Sequence, residues 1–184
     1  MPAALITGGT TGIGRATAEL LHARGYRVAV AVAVAGQNPD SLARARAELP
    51  GDVLASNPTR ASWPAPTISW QRWPNVSALS VGARRGSPGA TLGVATRGVL
   101  LAMLPSLAPE LAPRRIRVNA VSPGATEPPL LDKVGLPRSG REVMRTKVAF
   151  ERFGSSQDVA EVVAFHASDV AGYVSGQGAS VAGG

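Results

Sequence analysis

The sequence predicts an α/β protein with a parallel sheet, and three observations predict it. The chain opens Leu5-Ile6-Thr7-Gly8-Gly9-Thr10-Thr11-Gly12-Ile13-Gly14, a short apolar run that turns through glycines. It continues as Arg15-Ala16-Thr17-Ala18-Glu19-Leu20-Leu21, where Ile13, Ala16, Thr17, Leu20 and Leu21 fall on one helical face. Further strand-like runs, Tyr26 to Ala35, Ile116 to Val121 and Ala179 to Val181, are separated by helical patterns. A length of 184 residues is that of one domain able to bury a core.

Strand, tight glycine turn and helix are the opening of a nucleotide-binding βαβ unit. Gly8 permits the turn, and Gly12 and Gly14 leave room for a pyrophosphate to approach the backbone. Free N–H groups at the helix start bind such an anion without a basic side chain. Thr10, Thr11 and Ile13 belong to the same turn. The spacing is G-x-x-x-G-x-G rather than G-x-G-x-x-G. A glycine turn without a ligand is the alternative, and the strand before and helix after weigh against it.

Composition excludes several classes. There is no cysteine, hence no disulfide, thiolate nucleophile or cysteine metal site. With His22 and His166 as the sole histidines, no histidine-rich metal site is expected, and no metal. The first strand begins almost at Met1, leaving no room for a signal peptide. The apolar run Val28 to Ala35 is far too short for a bilayer. The expectation is a soluble cytoplasmic protein with no membrane partner. The net charge of +7 invites a nucleic-acid reading, but residues 1–57 and 101–184 each balance to +1. The other +5 comes from Arg60, Arg72, Arg84, Arg85 and Arg97 in 58–100, which holds no acid. This is one unusual segment rather than a basic stripe, so no nucleic-acid partner is expected.

Taken in order, Gly25 stops the first helix. The valine-rich strand Tyr26 to Ala35 follows, and Asp40-Ser41 cap a helix from Leu42 to Leu49. Val53-Leu54-Ala55 starts a third strand. From Asn57 to Pro74 the periodicity breaks, with four prolines and Trp63, Trp70 and Trp73, an irregular segment long for a compact domain. Regular character returns at Val76 to Val81. Thr91 to Leu104 reads as a helix that Pro105 and Pro109 interrupt. Ile116 to Val121 is a strand, Thr126 to Arg141 a proline-rich loop, and Ser155-Ser156-Gln157-Asp158-Val159 opens a helix to about Ser168. On it His166 takes a leucine-like place as a tolerated semi-buried histidine. His22 is a surface residue near a helix end.

Four stretches, in order, are similar to the short-chain dehydrogenase/reductase family: Thr7 to Gly14, Ile116 to Gly124, Arg152 to Ala160 and Ala167 to Gly176. The resemblance implies a Rossmann-type doubly wound parallel sheet forming a single NAD(P)-binding domain over 1–184. It implies a cofactor, NADP or NAD with NADP slightly ahead, and hydride transfer to or from a small carbonyl or alcohol substrate. It also allows a homo-oligomer. Family members run to roughly 250 residues, and the loss falls at 57–74, where the family's fourth strand, its Asn-Ala-Gly turn and the following helix are missing. In the family order 3-2-1-4-5-6-7, this puts the strand near Val76–Val81 directly beside Leu5–Thr7, unless residues 66–72 fill the gap.

Carried over residue by residue, the family's serine falls on Ser80, its tyrosine on Gly93 and its lysine on Arg97. Gly93-Val94-Ala95-Thr96-Arg97 thus stands where the family has Tyr-x-Ala-Thr-Lys. Ser80 and Arg97 are the catalytic candidates that remain. The cofactor candidates are Gly8, Thr10, Thr11, Gly12, Ile13, Gly14, Gln37, Pro123 and Gly124. Gln37 stands where the family reads the ribose, and Pro123 and Gly124 match the nicotinamide side, whereas Pro128 replaces a threonine. Tyr173 is a reserve proton donor. Three functions follow: an oxidoreductase with a degraded catalytic set, a non-catalytic nucleotide-binding or subunit-partner protein, or a remnant without function.

Overall fold

The computed structural model describes residues 2–7, 9–31, 39–51, 53–56, 75–79, 91–127 and 137–184. It divides into two compact units, Met1–Trp73 and Pro74–Gly184. The described residues hold two three-stranded sheets, both parallel throughout.

In the first unit β1 (Ala3–Thr7) is followed by α1 (Gly12–Ala23) and β2 (Arg27–Ala31), then by α2 (Pro39–Glu48) and β3 (Leu54–Ser56). The order is β1-β2-β3, with Ala3 opposite Arg27 and Ala29 opposite Leu54. Parallel neighbours need a crossover, and the helices supply it. Their apolar sides meet the sheet through buried Ala18, Leu21, Val28, Ala45, Leu49 and Val53. Gly25 ends α1 in the left-handed region, at φ 82°, with its N–H on His22 O and the Tyr26 N–H on Leu21 O. Arg15 bonds Glu19 at 2.8 Å and also reaches Glu48, tying α1 to the end of α2. Residues 32–35 of the expected second strand lie outside the described residues.

In the second unit β4 (Asn75–Leu79), α3 (Thr91–Leu111), β5 (Arg117–Pro123), α4 (Arg138–Arg145), α5 (Ser156–Ala167) and β6 (Gly178–Val181) follow one another. The order is β4-β5-β6. From Val118 onward β5 is buried along its whole length, as a central parallel strand covered on both faces must be. Among the described residues, the two orders are those of an α/β fold of Rossmann type.

Within the first unit β1 bonds β2, and within the second β4 bonds β5. Each half-sheet forms through its own local crossovers onto a central strand, β2 or β5. The alternative placement of 66–72 lies outside the described residues. Two expectations need correction. First, α3 runs through Pro105 and Pro109 to Leu111. An interior proline costs about 3 kcal/mol of helix stability. Leu104 and its neighbours Leu101, Leu107, Ala108 and Leu111 pack on Val118 and Ala120 of β5, and that burial carries the helix past both prolines. Both prolines are exposed. Val94–Arg114 is also long and apolar enough by composition to cross a membrane, a property the prolines concealed. Second, residues 138–141 of the expected loop are the first half of a helix, Arg138–Arg145, which starts after Pro137 in extended conformation and carries an Arg145–Glu142 ion pair.

The start of α5 is as the sequence suggests. The Ser155 hydroxyl accepts the Asp158 N–H at 3.0 Å, and the Asp158 carboxylate accepts the Ser155 N–H at 2.7 Å, a capping box. Arg152 donates to the same carboxylate at 2.8 Å. The Arg152 guanidinium, and after it the Ser155 N–H and hydroxyl, hold Asp158 far below its ordinary carboxylate range. Ser155→Ala is expected to lower stability by about 1 kcal/mol in denaturant unfolding. Because the folded carboxyl is depressed, its contribution is present above the unfolded value of about 3.8 and is lost as pH falls below it. Asp158→Asn should remove that part of the acid sensitivity in thermal melts below about pH 4.

Candidate functional site

Thr10, Thr11, Gly12, Ile13 and Gly14 form one turn entering α1. Thr10 is buried, and Thr11 is extended at φ −147°, ψ 161°. Gly12 then takes φ 55°, a left-handed conformation that side chains with a Cβ rarely adopt. The chain therefore folds into the helix abruptly, and the Arg15 N–H bonds back to Thr11 O at 3.3 Å. Thr11 makes no side-chain cap, and the first turn contains no acid. An α-helix supplies no intrahelical acceptor to its first N–H groups, so those of Gly12, Ile13 and Gly14 form a positively polarised cradle. Arg15 is held by Glu19 and Glu48, so its charge belongs to the helix flank. An anion here would be bound by backbone, and the glycines fit the phosphates of a dinucleotide.

Pro123 and Gly124 end β5 at the carboxyl edge, where open α/β sheets bind ligands. Pro123 is fully buried and has no N–H, and the Gly124 N–H bonds Val181 O at 2.9 Å. A Cβ on Gly124 would stand 2.8 Å from Ala182 Cα. The glycine thus has a packing reason of its own, and this corner supplies shape rather than a donor. Gly93 and Arg97 lie one turn apart on α3, with Arg97 exposed. Gly8, Gln37, Ser80 and Pro128 lie outside the described residues. Among the described residues no cluster of metal-ligating side chains occurs.

Tyr173, the reserve donor, follows the short turn Asp169–Ala171. It is fully exposed and lines a groove of about 590 Å³ with Ile116, Arg117 and Ser175. That groove is at the amino end of β5, opposite the edge formed by Pro123 and Gly124. His22 is half-buried in the last turn of α1.

The residue missed by the sequence reading is Asn119. It is 1% exposed in the middle of an apolar strand. Its Nδ2 donates to Val174 O at 2.9 Å, and its Oδ1 accepts the Gln177 N–H at 3.1 Å. Arg117 donates to Ser168 O and Val174 O, the Val118 N–H to Ser175 Oγ, and the Gly176 N–H to Val118 O. Together they clamp the turn 168–177 to β5 and set the register of β6. A lone amide between valine and alanine was the available signal, since a buried polar side chain requires partners.

The parallel order, the glycine turn entering a helix and the Pro-Gly strand end define an α/β protein of Rossmann type. Comparison with known proteins agrees. A family profile described as enoyl-(acyl carrier protein) reductase matches residues 75–184, and one described as short chain dehydrogenase matches residues 2–57. The chain belongs to the short-chain dehydrogenase/reductase family. It is 41% identical over 109 residues to the 3-oxoacyl-[acyl-carrier-protein] reductase FabG of Thermotoga maritima, covering 59% of this chain and 44% of that one. It is 38% identical over 109 residues to nodulation protein G of Rhizobium meliloti, again 59% of this chain and 44% of that protein. The chain thus spans less than half the length of these relatives. A crystal structure provisionally assigned as a betaketoacyl-ACP reductase superposes with a TM-score of 0.75 at 21% identity, over 100% of this chain and 97% of the other, and shows the shared fold. The two profile matches leave 58–74 unmatched, the segment in which the units divide.

Asn119→Ala is expected to destabilise the protein by on the order of 1–3 kcal/mol for each buried group left unpaired, read in denaturant unfolding. Gly124→Ala should also destabilise it, by forcing Ala182 away.

Proposed function

We propose that the chain binds a nicotinamide dinucleotide through the Gly8–Gly14 turn, working as a single NAD(P)-binding domain, and reduces carbonyls weakly or not at all. The observation that carries this is the abrupt entry to α1: Gly12 at φ 55°, an uncapped Thr11 and no acid in the first turn. NADP is slightly favoured over NAD because Gly36-Gln37-Asn38 presents no acid for a ribose 2′-hydroxyl.

A bound nicotinamide supplies or accepts hydride, and the protein must then handle the proton on the substrate oxygen. General acid catalysis of this kind is worth roughly 10²–10⁴-fold. Gly93 has no side chain to donate. Arg97 keeps a cation one turn away but does not deprotonate readily, and its planar fork is not an ammonium. Ser80 is left to hold the oxygen. The substrate class follows the relatives, carbonyls and alcohols, including acyl-carrier-linked ones. The second reading, a non-catalytic binder or subunit partner, is favoured by the same pair, Gly93 and Arg97, and a homo-oligomer fits either.

NADPH or NADH at millimolar concentration should raise the melting temperature, and Gly12→Val should abolish the rise. Absence of protection by both cofactors would overturn the binding reading. Gly93→Tyr with Arg97→Lys should raise carbonyl reduction, up to about 10²–10⁴-fold, and by more than either single change. High turnover of the unaltered chain would show that another group donates the proton.

A further inference from the structure

His166 interrupts the apolar stripe of α5. Val159, Val163 and His166 share one side of the helix, and His166 is 4% exposed in its last turn. Its Nδ1 is wholly buried and has no hydrogen-bond partner among the described residues. The nearby cation is Arg117, which anchors Ser168 O and Val174 O directly beyond the helix. We infer that His166 is an acid-sensitive wedge beneath the 168–177 turn: its protonation loosens that turn from β5.

The chemistry follows from the ring's two states. A neutral ring with its proton on Nε2 leaves a bare acceptor at Nδ1. The imidazolium places an N–H at the same buried point, where no acceptor waits, and adds a positive charge beside Arg117. In the unfolded chain both nitrogens are hydrated. The carboxyl end of α5 attracts a cation, but this is the smaller effect for a ring with an unmet donor. The elements packed on α5 are β4, β5, β6 and the short turn Asp169–Ala171. β4 and β6 contain no titratable side chain, and β5 contributes Arg117. Asp169 in the turn and Glu161 on α5 are exposed, and Asp158 is engaged with Arg152 and Ser155. None of the three is among the groups acting on the ring.

Burial, and after it the charge of Arg117, hold the ring below the ordinary histidine value. The sign is therefore fixed. Stability from this group is complete above about pH 6.5, falls as pH drops from there toward the folded value, and is flat below it. The steepest response is one proton, or about tenfold in the opening equilibrium per pH unit.

The test uses the full chain with His22→Gln, so that a single imidazole remains, and the same chain with His166→Leu. Proton NMR titration of the ring should give a value below 6.5. Exchange of the Gly176 and Gln177 amides, corrected for intrinsic rates, should quicken up to about tenfold per pH unit below 6.5 in the histidine form and not in the leucine form. A ring titrating at or above 6.5, as it would in a chain lacking this packing, overturns the inference. Equal acid response of the two forms overturns it as well.

Discussion

Parallel strands cannot be joined by tight turns. Each pair needs a crossover long enough to climb back over the sheet, and that constraint organises both halves of this chain. In the first unit α1 and α2 bring β1 and β3 to the two sides of β2; in the second, α3 and α5 do the same for β4 and β6 around β5. The central strand β5 is therefore covered on both faces, and among its buried residues Asn119 is the one amide. It is tolerated because both ends of its amide are bonded to the turn that leads into β6. The same constraint explains how the fold persists across the unmatched segment 58–74: each three-stranded layer closes its ladders internally.

Within this frame the proposed binding and catalytic parts rest on different physics. The glycine turn depends on backbone conformation and on helix N–H groups, and Gly12 is left-handed. The proposed catalysis depends on two side chains one helical turn apart, and the α3 positions that the family resemblance assigns to them, 93 and 97, hold glycine and arginine. Packing maintains a backbone cradle, whereas a proton donor is a single side chain.

Some residues thought of as site residues are held by packing. Gly124 is required by the approach of Ala182, and Pro123 closes a fully buried strand end. Their presence speaks for the architecture more than for a ligand. His166 shows the reverse: a polar ring at a place shaped for an apolar one, with its energetic consequence set by Arg117 and the turn beyond.

The sequence by itself determined the parallel α/β class, the glycine turn, the Gly25 stop and the helix start at Ser155. These are local: each rests on period, on a residue's own φ preference, or on neighbours three or four positions away. Tertiary structure alone decided that α3 continues through Pro105 and Pro109, because the deciding burial of Leu104 comes from β5. It decided the partners of Asn119, which lie more than fifty residues on, the placement of Tyr173 at the amino end of β5, and the pairing of β4 with β5. Each of these turns on free energy gained between segments distant in the chain, which no local pattern records.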